Sequence, residues 1–166
     1  IHAWDLFTSG QHDAAEQSLQ AAEQALNSPM ERGQPPGSDR MKIQGRVAAI
    51  RAFLASYRGD MPGTIQYARQ ALEYLPKQDP NWRSAAAIAL GDAYSFGGEL
   101  APAYQARLEA LEASKGEGNI YIIASLKLAG TLRQQGQLQR AMEICRQQWQ
   151  LAQEIGMSQT GTAGWL

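Results

Sequence analysis

Glycines followed five residues later by a small residue recur along this chain, and they constrain its fold more than any other feature. Gly10 is followed in this way by Ala15, Gly59 by Thr64, Gly98 by Ala103 and Gly136 by Ala141. The last three glycines stand 39 and 38 residues apart, a spacing typical of helix-hairpin repeats, and the first interval is 49. The stretch Ala87–Ala103 shows the unit: a helical pattern, a glycine turn, and the start of a second helix running back. Gly91 and Ala103 are small where two helices must touch, with Leu90 and Tyr94 flanking the contact. A single hairpin cannot bury its apolar face alone, so such units stack and share a continuous core. The fold expected is all-α.

On this reading the repeats occupy about residues 1–29, 41–76, 81–115 and 119–155, and residues 156–166 begin a further one. The chain starts inside a helical pattern without a capping signal and stops where another helix is starting, as expected of a piece of a longer array. Residues 30–40 read as a surface loop, because the Pro/Gly/Ser-rich stretch from Ser28 to Asp39 has no apolar period and accounts for the long first interval. Asp13 and Asp60 are expected to cap second helices, and Pro62 and Pro102 to fall in first turns. The first helix of the second unit is expected over about residues 41–57. That of the third is expected from near Trp82.

Composition narrows the function. The chain is 166 residues long, 44% hydrophobic and 19% charged, with a net charge of −1 and cations scattered among anions. It lacks the basic patch of a nucleic-acid-binding domain, so no direct nucleic-acid contact is expected. No apolar run reaches the roughly 20 residues of a membrane span, and no signal peptide is visible. The single Cys145 cannot form an intrachain disulfide and reads as a small apolar residue on an inner helix face. His2 and His12 are the only histidines, which argues against a zinc site. Phosphate-loop, dinucleotide and nucleophile-elbow motifs are missing. Glu109 and Glu112 read as a solvated face, not an acid/base pair. No catalytic residue, metal or cofactor is expected.

The pattern Leu90-Gly91-x-x-Tyr94-x-x-x-Gly98-x-x-x-x-Ala103, together with Gly59 through Ala71-Leu72-x-x-Leu75-Pro76, resembles tetratricopeptide repeats. Thr64 stands where an alanine is usual, Gln148 where a small residue is, and the period exceeds the standard length of about 34. The longer period and the run Leu128–Ala141, with the Gln-rich helix to Trp149, look like the sensor array of MalT-like bacterial transcription activators of the LuxR class. The resemblance implies a right-handed superhelix of stacked antiparallel hairpins, present here as a partial array. In that family an ATP-binding STAND module precedes the superhelix and a helix-turn-helix follows it. A cytoplasmic protein that senses a small-molecule effector or a protein or peptide partner, and self-associates at full length, is what it implies.

In such arrays the first helix of each hairpin lines the concave face. Helical spacing then places Asp5 and Thr8, then Arg46, Phe53 and Tyr57, then Asp92, Ser95 and Phe96, and finally Arg133 and Gln134 on that face. Rings beside Arg, Asp and Gln could stack on and hydrogen-bond a small polar ligand, or clamp a peptide. Phe53, Tyr57 and Phe96 could equally only fill space between helices. The alternative function is a plain protein–protein scaffold with no small-molecule inducer.

Overall fold

The computed structural model describes residues 2–27, 37–116, 118–154 and 156. These residues form eight helices and no strand: α1 (His2–Thr8), α2 (His12–Asn27), α3 (Gly37–Tyr57), α4 (Met61–Tyr74), α5 (Pro80–Phe96), α6 (Leu100–Ala113), α7 (Asn119–Gln134) and α8 (Leu138–Glu154). They pair as four hairpins, and each hairpin packs on the next. This is the expected all-α, tetratricopeptide-like stack.

One turn, used four times, sets the hairpin geometry. Gly10, Gly59, Gly98 and Gly136 have φ of 79°, 75°, 77° and 76°, backbone that an L side chain adopts only with strain. The residue after each donates its N–H to the carbonyl five positions earlier: Gln11 to Leu6, Asp60 to Ala55, Glu99 to Tyr94 and Gln137 to Leu132, at 2.8–2.9 Å. That residue's own carbonyl then accepts from Ala15, Thr64, Ala103 or Ala141. These four small residues are buried, with Thr64 fully enclosed. Thr64 replaces an alanine without leaving an orphan, because its hydroxyl donates to the Asp60 carbonyl at 2.8 Å.

Several local expectations are corrected. Asp60 caps α4 as expected, accepting from the Gly63 N–H at 2.9 Å, but α2 starts at His12 and leaves Asp13 inside the first turn, where its charge suits the helix dipole. α3 begins at Gly37, four residues before the expected start, with Asp39 in its first turn. Gly91 is small for a different reason than contact with Ala103: the buried Arg107 guanidinium of α6 lies over it, 2.9 Å from where a Cβ would stand. Gln148 is buried, with its Oε1 unpaired, at a register held by Ala71 and Ala110 in the two preceding units. The expected further repeat at 156–166 lies, beyond Gly156, outside the described residues; of the loop expected at 30–40, residues 30–36 also lie outside them and 37–40 are instead the first turn of α3.

The hairpins join by a common register, counted from the turn glycine. The residue eight before the glycine on a first helix meets the residues six and thirteen after it on the preceding second helix. At the first junction this is Arg51 against Glu16 and Glu23. At the second, Leu90 shares a core cluster with Ile65 and Leu72, and at the third Leu128 shares one with Tyr104 and Leu111. At these positions the first junction is ionic and the others apolar, although Ala15 and Leu19 of α2 also pack on Ile50 and Leu54 of α3.

Burial raises the Glu16 carboxyl, but the hydrogen bond and charge of Arg51, helped by Gln20 and Arg58, outweigh it and hold Glu16 below the ordinary carboxylate range. The hydrogen bond to Glu23 is the main reason the Arg51 guanidinium rises above its usual value; burial opposes it and Glu16 adds to it. A carboxyl lowered on folding stabilises above its ordinary pKa and loses that contribution as pH falls through its folded value. The melting temperature of the wild type should thus exceed that of Arg51→Gln at pH 7, and the gap should close on acidification to about pH 3. A gap that stays constant across this range would show that the junction is not ionic in origin.

Candidate functional site

The register that orders the junctions also orders the concave surface. The position six before each turn glycine holds Trp4, Phe53, Asp92 and Gly130, and all four line one groove of about 1310 Å³. They form a ladder across the first helices of all four hairpins. At one end Trp4 meets Phe53 edge-on at 5.2 Å and Trp82 at 5.4 Å between ring centroids. Ile88 of α5 and Ile123 of α7 continue the apolar floor. Beyond Gly130 the groove runs on to α8, where Met142 and Trp149 form its far wall.

The polar centre of the ladder is Asp92. Arg107, only 2% exposed, donates from Nη1 to the Ile88 carbonyl at 2.7 Å and from Nη2 to Asp92 Oδ1. From α7, Lys127 Nζ reaches both Asp92 oxygens at 3.0 Å. The carboxylate is thus fixed between a buried and a half-exposed cation, and the triad carries a net positive charge. Arg133 and Arg146 also line the groove and are exposed. With Lys127 they give it three cations against one carboxylate, which favours an anionic or acidic occupant.

Gly130 is the residue that local structure does least to explain. It stands inside α7, where glycine costs roughly 0.5–1 kcal/mol relative to alanine. A Cβ there would meet nothing within 4 Å. The missing side chain leaves the α7 backbone accessible from the groove.

Of the residues expected on the concave face, the structure brings Phe53, Asp92 and Arg133 to the groove. Arg46 is drawn aside: its Nε and Nη2 bind the buried Asp79 carboxylate at 2.8 Å, and its guanidinium lies 5.9 Å from the centroid of the Trp82 ring. Asp5 is exposed on α1. The Oγ of Ser95 is buried without a partner. Thr8, Tyr57, Phe96 and Gln134 share the position two before the glycine, at the last turn of their helices, and all are exposed; Tyr57 is 66% and Phe96 78% accessible. The Tyr57 ring nevertheless packs on His12 of α2, 3.9 Å between ring centroids. Trp4, Lys127 and Gly130 also line the groove, and helical spacing within single helices does not point to them, although aligning all four units on the glycine singles out Trp4 and Gly130 from sequence alone. Among the described residues there is no cluster of His, Cys, Asp and Glu that could hold a metal ion, and no helix is long and apolar enough to cross a membrane.

Comparison with known families adds one finding. Residues 45–166 match the family model described as the MalT-like TPR region. No curated protein matches the chain at a significant level.

Proposed function

The chain belongs to the MalT-like TPR family, and on that premise we propose that it is the sensing domain of a LuxR-class transcription regulator whose groove takes an elongated effector or partner. Repeat domains of this type serve protein interaction. The observation that carries the finer reading is the ladder Trp4–Phe53–Asp92–Gly130, which joins all four hairpins in one surface. Its volume of about 1310 Å³ exceeds the roughly 300–1,000 Å³ of ordinary small-molecule sites. An extended ligand, such as a peptide or a chain-like metabolite, fits it better than a compact one. Occupation would shift the full protein between resting and self-associating states only as far as the ligand prefers one of them.

A ligand at about 100 times its dissociation constant should add roughly 2.7 kcal/mol of apparent stability. For a domain of this size that is about 5–11 °C in melting temperature. A thermal-shift screen of metabolites and acidic peptides should give such a hit, and Gly130→Phe should abolish it without lowering the free protein's melting temperature, because the added ring enters open groove and the helix loses a glycine. Hits indifferent to Gly130→Phe would place the ligand elsewhere. A screen in which peptides bind and no metabolite does would favour the scaffold reading. The regulator assignment also requires a STAND module or a LuxR-type helix-turn-helix in the parent gene, and a gene encoding neither would sink it.

A further inference from the structure

Between the second helices α4 and α6 lies another pocket, of about 600 Å³, that shares no lining residue with the groove. Its volume falls within the range of roughly 300–1,000 Å³ usual for compact small molecules. Leu90 and Tyr94 of α5 form the floor, and Arg69 of α4 forms one wall. The other wall is the face of α6 that carries Pro102, Gln105, Leu108 and Glu109, three, three and one residue apart. One end is tied shut. Arg83 donates from Nη1 to the Leu72 and Leu75 carbonyls at the end of α4, at 2.7 and 2.6 Å. Its Nη2 donates to Glu109 Oε1 at 2.8 Å, so the Glu109 charge is spent on Arg83.

Arg69 is the cation left over. Its Nη2 donates to the Tyr94 hydroxyl, and its guanidinium lies 5.8 Å from the centroid of that ring. These contacts fix the group in place, yet among the described residues no carboxylate pairs with it, and the Gln105 amide bonds nothing. Counted from the turn glycines, the counterparts of Arg69 and Tyr94 are Gln20 and Ala55 at the first junction, and Leu108 and Leu132 at the third. Of these three junctions, a cation and a phenol come together only at the one that holds the pocket.

We propose that this pocket binds a small monocarboxylate with a compact apolar body, independently of whatever occupies the groove. The carboxylate would accept from the free donors of Arg69 and from the Gln105 amide, charge-assisted bonds of the stronger kind. The apolar body would lie on Leu90 and Tyr94, between Pro102 and Leu108. Arg69, Arg83 and Glu109 together leave one positive charge, which disfavours a cationic ligand and is matched by a single carboxylate. A phosphate dianion would exceed it.

The probe is hydrocinnamate, titrated calorimetrically into the 166-residue chain, with hydrocinnamide as its uncharged counterpart. Binding of the acid should saturate, and the amide should bind about tenfold more weakly or less. Arg69→Gln should weaken the acid by a similar factor, and Leu108→Asp should do the same by setting a like charge in the wall. Both residues are exposed, and an unchanged circular dichroism melt checks that the variants stay folded. Gly130→Phe, which fills the groove, should leave the titration as it was. The proposal would be overturned by a titration that does not saturate, by equal binding of acid and amide, or by indifference to both Arg69→Gln and Leu108→Asp. Loss of binding in Gly130→Phe would move the ligand to the groove. Tighter binding of the tripeptide Gly-Gly-Leu than of hydrocinnamate would make a protein C-terminus the occupant, and would equally overturn the small-molecule assignment.

Discussion

Replacing Arg107 with alanine should lower the stability of the domain by about 2–3 kcal/mol, a fall of roughly 5–10 °C in melting temperature. Removing one partner of a fully buried pair costs about 3–5 kcal/mol, because the other charge is left uncompensated. Here the figure is reduced, since Asp92 is partly exposed and keeps Lys127. What is lost is the guanidinium that bridges the Ile88 carbonyl and Asp92 while filling the space over Gly91. Arg107→Lys should rescue little, because a point amine cannot occupy both positions of a planar fork. Thermal melts of the two variants check this, and an Arg107→Ala protein melting within about a degree of wild type would show that the triad is not structural. Gly91→Ala tests the same contact from the other side, as its methyl would drive the guanidinium away.

The second large effect is a pair of changes with opposite signs. Gly45 and Gly130 both stand inside helices, and alanine gains roughly 0.5–1 kcal/mol of helix propensity at either site. At Gly45 the new Cβ would come 2.7 Å from Leu75 Cγ and 2.9 Å from the Leu75 backbone nitrogen. Leu75 is buried and its N–H is bonded to the Ala71 carbonyl, so it cannot step back. Overpacking of this kind costs about 1–3 kcal/mol, and the expected net result is destabilisation by about 1–2 kcal/mol. At Gly130 nothing opposes the gain, and Gly130→Ala should stabilise by up to about 1 kcal/mol. Urea melts of both variants decide it: two changes of the same sign would mean that the close approach of α3 to Leu75 does not govern Gly45.

The contrast between these glycines shows what the sequence could reveal. The turn glycines and the small residues after them announced the four hairpins, because one backbone requirement repeated at fixed spacing is visible without any tertiary information. The groove was only partly legible. Helical spacing within single helices points to Phe53, Asp92 and Arg133, whereas Tyr57 packs on His12 and Phe96 sits where its helix runs out into solvent. Arg46 was on a plausible face but is held by Asp79, 33 residues away, a pairing no local pattern encodes. Arg107 gave no warning at all. An arginine on a second helix reads as surface until the glycine that makes room for it is seen beneath it.

Packing that passes from each hairpin to the next has a mechanical consequence. In such a stack stability is local, and one end can loosen while the other holds. The ends also differ: buried apolar residues pack both junctions, but the α2–α3 junction adds Arg51 paired with the Glu16 and Glu23 carboxylates, so acid should soften it before the α6–α7 junction. A molecule lying along Trp4, Phe53, Asp92 and Gly130 would act as a strut, bonded to all four hairpins, of which only the first and third otherwise meet beyond their neighbours through the Trp4–Trp82 ring contact among the described residues. Its arrival would turn a chain of separately yielding links into a single stiff span.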